Sequence, residues 1–153
     1  MLSKPEYGWS DFRLEGTAAY SLSYLNDIAF DWLEQAIHGL ESMMPFCVEG
    51  FMEPGRFLCL VSYWNCHIVC EDDGRDPLDE EEIVHETSHI SMLQFCRQLY
   101  DDISKNADEW VAFADYMYPA TTDRKNALMQ MLARLKALIS EREESFREGR
   151  CFF

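Results

Sequence analysis

The sequence predicts an α+β fold: a small, mostly antiparallel β-sheet in the order βαβββ, packed by the first helix and followed by three helices. Three observations carry this expectation. Apolar residues recur at three- and four-residue spacing from Leu22 to Leu40, alternate from Phe46 to Cys70, and return to helical spacing after Ser91. The 153 residues are 48% apolar and 14% aromatic, enough to bury one core and too rich for general disorder. No run of 18 uncharged apolar residues occurs, so no membrane span is encoded. Residues 1–153 are expected to form a single domain, because no linker, repeat or low-complexity tract divides them.

Each element has a local reason. Trp9-Ser-Asp-Phe12-Arg-Leu14 alternates apolar and polar residues and reads as a strand ended by Gly16. Leu22, Leu25, Ile28, Ala29, Trp32, Leu33, Ala36, Ile37 and Leu40 make one helical stripe, with Asp27, Asp31, Glu34 and Glu41 opposite and Pro45 as the stop. Cys47–Phe51 is a strand, and Glu53-Pro54-Gly55-Arg56 is a turn. Phe57–Trp64 and Cys66–Cys70 follow as strands that break near Asn65.

After an acidic stretch, Ser91-Met-Leu-Gln94 fits a capping box, in which each side chain satisfies a free backbone donor at a helix start. Met92, Cys96, Leu99, Tyr100 and Ile103 line that helix. Asp108 is expected to cap a short helix through Met117, and Thr122 a long one over 122–148.

Charge narrows the function. Thirteen Lys and Arg face 28 Asp and Glu, a formal net charge of −15. Such a field repels phosphate backbones and anionic lipid, so neither nucleic acid nor membrane is an expected partner. It speeds encounter with a basic protein, although acidity also serves solubility alone. Residues 71–86 hold nine acids and one Arg, a formal −8. Gly74 and Pro77 break its first half, so it reads as a solvated loop. Asp72, Asp73, Asp76, Asp79, Glu80, Glu81 and Glu82 are the expected partner-binding acids, with Trp64 or Tyr63 as an aromatic anchor nearby unless those rings are core. Residues 123–153 carry a formal +2, so the last helix lies against the acidic body or pairs with another copy; a monomer or weak homodimer is expected.

Six cysteines stand at positions without any C-x-x-C pair and beside apolar neighbours. They read as small hydrophobes in a reducing, cytoplasmic setting. The opening MLSKPEYGWSDF has no apolar signal core, which agrees.

One motif carries a specific chemistry. His85-Glu86-Thr-Ser-His89 matches H-E-x-x-H, which on a helix places two imidazoles on one zinc ion and a Glu to activate its water. Glu109 could be a third ligand. A zinc-dependent metallohydrolase is therefore the alternative function. The context argues for a strand instead, because Glu82–Ile90 is rich in branched residues and the helix starts only at Ser91. On a strand, residues four apart stand roughly 13 Å from each other, too far for one ion. Cys66 and His67 are adjacent, hence on opposite faces of a strand and unable to act together; His67 and His38 read as surface residues. No phosphate-cradling loop or nucleophile elbow occurs, and no cofactor is expected.

The order of elements, with Tyr7-Gly8-Trp9, Ser23-Tyr-Leu-Asn-Asp27, the meander Phe57–Cys70 and the helix capped at Ser91, resembles the small immunity proteins of bacterial contact-dependent inhibition and related polymorphic toxin systems. The resemblance covers residues 5 to 118. It implies a protein that is not an enzyme and that binds and blocks a cognate toxin, often a nuclease. Partner contacts vary within that group, so it assigns no residue here.

Overall fold

The computed structural model of the protein describes residues 1–71 and 80–149. The fold is α+β. Strands β1 (Trp9–Phe12) and β2 (Tyr20–Ser23) form an antiparallel hairpin. Helix α1 (Ile28–Ser42) follows, then β3 (Phe46–Phe51), β4 (Arg56–Val61), β5 (Cys66–Glu71) and β6 (Ile83–Ser88). These four form one antiparallel sheet in the order β3-β4-β5-β6. Helices α2 (Met92–Lys105), α3 (Ala107–Val111) and α4 (Thr122–Arg147) complete the chain. No helix among the described residues is long and apolar enough to cross a membrane.

The expected order βαβββ is corrected to ββαββββ, with β1 and β2 forming a separate two-stranded sheet. Leu22 belongs to β2 rather than to the first helix, and β6 adds a fourth strand beside β5. The spacing of Leu22 and Leu25 mimics a helical stripe, but Leu22 is fully buried where β2 crosses β3, against Gly50. A Cβ on Gly50 would stand 3.0 Å from Leu22 Cδ2, so the small residue makes room for the crossing.

The core lies between the inner face of the four-stranded sheet and the helices. Phe57 meets Phe12, Tyr20 and Trp32 at ring centroids of 4.9, 5.2 and 6.3 Å, and Phe95 of α2 joins Trp32 and Phe46. Such clusters bury large areas and hold preferred edge-on angles. Helix α1 approaches β3 closely because Gly39 leaves space for the Phe46 ring; a Cβ there would fall 2.3 Å from Phe46 Cδ1.

The helix starts follow local chemistry. Ser91 Oγ accepts from Gln94 N and Gln94 Oε1 accepts from Ser91 N, the full capping box. Thr121, not Thr122, caps α4 by accepting from Arg124 N, and the helix ends at Arg147 rather than 148. Asp108 lies in the first turn of α3 rather than at its cap.

Helix α4 lies on the acidic body, as one of the two expected arrangements had it. Leu128, Leu132, Leu135, Leu138 and Ile139 are buried. Arg124 bonds Asp27 at 2.7 Å, Lys125 bonds Asp108 at 2.5 Å and Arg134 bonds Glu41 at 2.6 Å. Arg124, Lys125 and Arg134 of the basic end are thus used internally.

Candidate partner-binding surface

The pleat sends successive residues to opposite faces of the sheet. Inward go Phe46 and Val48, Phe57, Cys59 and Val61, and Cys66, Ile68 and Cys70, all buried. Outward, the registers line up three rows. Phe51, Arg56, Glu71 and Ile83 form one row, Glu49, Leu58, Val69 and His85 the next, and Cys47, Leu60, His67 and Thr87 the third. No described element covers this outer face; Leu58 is 38% and Leu60 46% exposed. Leu58, Leu60 and Val69 make its centre apolar, with Glu49, Arg56, Glu71, His67, His85 and Thr87 among the residues around them, an apolar core with polar neighbours such as protein interfaces use.

One rim is acidic beyond what the sequence suggested. Packing of α1 on β3 brings Asp31 and Glu34 beside Glu49, along a groove of about 410 Å³ that Leu58 also lines. Burial pushes the Asp31 carboxyl above its ordinary value, and the charges of Asp27, Glu34 and Glu49 push it the same way. Among the described residues, no Lys or Arg pairs with Asp31, Glu34 or Glu49. The sequence placed Asp31 and Glu34 on the polar side of a helix, but nothing in it signalled that Glu49 would join them.

The opposite rim holds the sequence-predicted acids that the structure describes. Glu80, Glu81 and Glu82 form an exposed 3-10 turn leading into β6. Asp72, Asp73, Asp76 and Asp79 lie outside the described residues. At this end Arg56 forks onto Glu71, with Nε to Oε2 at 2.8 Å and Nη2 to Oε1 at 3.1 Å.

Trp64 is exposed at 53%, as an anchor would be, but it stands at the other end of β5. About 20 Å of strand separates it from the acidic turn, so the structure does not bring the two together. Trp64 sits instead in a cleft of about 510 Å³ with His89, Leu93, Arg97 and Phe146, its ring edge-on to Phe146 at 6.0 Å. Tyr63 is partly buried, and its hydroxyl donates to Met43 O at 2.9 Å, tying the β4–β5 turn to the end of α1.

The H-E-x-x-H residues are separated. They lie on β6 and just beyond it, as the branched residues predicted. His85 faces outward. Glu86 faces inward, where it accepts from Ala18 N at 3.2 Å and from the Tyr20 hydroxyl. Ser88 Oγ likewise donates to Glu15 O at 2.7 Å, so Glu86 and Ser88 clasp the β1–β2 connection to the sheet edge. His89 lies in the Trp64 cleft, and Glu109 pairs with Lys4 at 2.8 Å. The Glu that would activate water faces away from the imidazole that would hold the ion, so the arrangement needed for zinc hydrolysis through this motif is not formed. Among the described residues, no three His, Cys, Asp or Glu gather into a metal-holding group.

The sulfur chemistry is quiet. Among the described residues Cys47, Cys59, Cys66, Cys70 and Cys96 form no disulfide, and all but Cys47 are buried. Side-chain hydrogen bonding with Cys66 and burial push the Cys59 thiol up; burial does the same to Cys96 and Cys47. Thiols held protonated are poor nucleophiles.

Comparison with protein-family models, with characterised proteins and with solved structures found no match to this chain.

Proposed function

We propose that this chain is a non-enzymatic, cytoplasmic binding protein that neutralises a basic protein partner, a toxin domain, in the manner of the immunity proteins that its element order resembles. The observation that carries the reading is the group Asp31, Glu34 and Glu49, carboxylates lining one groove at the edge of the outer sheet face with no Lys or Arg paired to them among the described residues. A Lys or Arg arriving there relieves repulsion that the folded chain otherwise keeps. Leu58 and Leu60 supply apolar area beside it, and Glu80–Glu82 with the acidic stretch before them extend the negative field. Steering by such a field raises the association rate, while desolvated apolar contacts slow dissociation.

The test starts from the partner retrieved with the tagged chain from cells that make it. It is expected to be a basic domain whose activity the chain inhibits, and whose association slows as salt rises. Replacing Asp31 and Glu49 by Asn and Gln should slow association several-fold and flatten the salt dependence. An acidic partner, or a rate indifferent to both salt and substitution, would overturn the reading.

A further inference from the structure

The outer sheet face holds a second chemical feature, independent of any protein partner. His67 of β5 and His85 of β6 are diagonal neighbours across the ladder. Their rings are nearly parallel, at 28°, with centroids 5.4 Å apart, and His67 Nε2 lies 3.2 Å from His85 Nδ1. The other ring nitrogen of His67, Nδ1, is 3.3 Å from Thr87 Oγ1.

We propose that His67 and His85 form a two-imidazole chelate for a divalent transition-metal ion of the zinc, nickel or copper type. The spacing is the main argument. An ion with metal–nitrogen bonds of about 2.0–2.1 Å sets two neighbouring ligand nitrogens roughly 2.9–3.4 Å apart, whether square or tetrahedral. The 3.2 Å between Nε2 and Nδ1 falls inside that interval. His85 is exposed and His67 half-buried at the surface; holding an ion requires both lone pairs to turn toward one point beside the present hydrogen bond.

Proton placement also fits. Without metal, one of the two facing nitrogens carries the hydrogen of the bond between them. Coordination requires both to be bare, so that hydrogen moves to the far nitrogen of its own ring. In the coordinated pair His67 carries its hydrogen on Nδ1, where Thr87 Oγ1 accepts it; His85 carries its own on Nε2. An outer partner of this kind fixes the orientation of a metal-ligating imidazole. Among the described residues no third His, Cys, Asp or Glu joins the two, so water completes the coordination. The bridge ties together residues 18 apart in sequence, on the adjacent strands β5 and β6.

The experiment is calorimetric titration of the untagged full chain with Zn²⁺ in a large excess of Mg²⁺, which occupies carboxylates but prefers oxygen ligands. One ion per chain is expected. His67→Gln and His85→Gln should each lower affinity by about 100-fold, the cost of losing a chelate. Thr87→Val should lower it by about tenfold. His89→Gln and His38→Gln should leave it unchanged. In the unsubstituted protein, Cu²⁺ should broaden the imidazole proton resonances of His67 and His85 and spare His89, which reads the site without any variant. Absence of zinc binding, binding that survives His67→Gln, or binding lost with His89→Gln would each overturn the proposal.

Discussion

The two faces of the four-stranded sheet are built from the same strands and obey different rules. On the inner face, Phe57, Cys59, Val61, Cys66 and Ile68 are completely buried and interlock with Phe12, Trp32 and Phe95. On the outer face, Leu58 and Leu60 alternate with them in sequence and remain substantially exposed, flanked by Glu49 on one side and two histidines on the other. Core packing decides the first set. The second set has no folding task, so its apolar centre and charged rim are where function is free to act.

The largest test contrasts neighbours in sequence. Phe57→Ala should cost about 3–5 kcal/mol by urea denaturation, the transfer and cavity terms of a core aromatic. Leu58→Ala should stay within about 0.5 kcal/mol, as surface changes do. A comparable loss at Leu58 would mean that the outer face is covered in the native protein, and would break the contrast.

The next contrast is on β6. Glu86→Ala removes the acceptor of the Ala18 N–H and the Tyr20 hydroxyl and should cost about 1–3 kcal/mol, while His85→Gln on the other face should be close to neutral without metal. Thermal unfolding of the two variants would show it. Away from the sheet, Ser91→Ala should cost about 1 kcal/mol through loss of the capping box, a gauge of what one local signal contributes.

The smallest effect has the opposite sign. The Asp31 carboxyl is pushed up by burial and by its acidic neighbours, so the folded chain binds that proton at a higher pH than the unfolded chain. The stability linked to this group is therefore present in acid and lost as pH rises through the raised value. Asp31→Asn should raise the unfolding midpoint slightly at neutral pH and leave it unchanged once both states are protonated, measured by denaturation at the two pH values. A drop at neutral pH would mean that Asp31 is paired, and the acidic rim would lose its meaning.

Much of the fold was legible because it rests on local period. The switch from helical spacing to alternation located α1 and β3 to β5, and branched residues located β6 despite the helix-borne motif that overlaps it. The capping box located α2 to the residue. Where reading failed, two local patterns coincided. Leu22 suits a helical stripe and a strand equally, and only pairing with Trp9–Phe12 decides between them. Thr121 and Thr122 are chemically identical candidates for one cap, and backbone geometry picks the first.

The candidate surface was less legible. The acids at 80–82 are visible as a run, but the Asp31, Glu34 and Glu49 group is not, because its members come from a helix and a strand that meet only in three dimensions. Whether Trp64 is core or exposed was open in the sequence; the structure exposes it but far from the acids it was expected beside, since distance along a strand grows with each residue while a sequence motif conveys only proximity in the chain.

The sequence by itself determined which side of each element is apolar, where most helices and strands begin, and how strongly negative the protein is. Those properties depend on residues within one or two turns of each other. Only the tertiary structure decided that Glu86 clasps Ala18 and Tyr20, that His67 faces His85, and that Glu49 completes an acidic rim. Each of these pairs residues from separate elements, and such neighbours follow from strand order and register. Register is set by the packing of the whole core, where a slip of one residue would exchange the two faces of a strand.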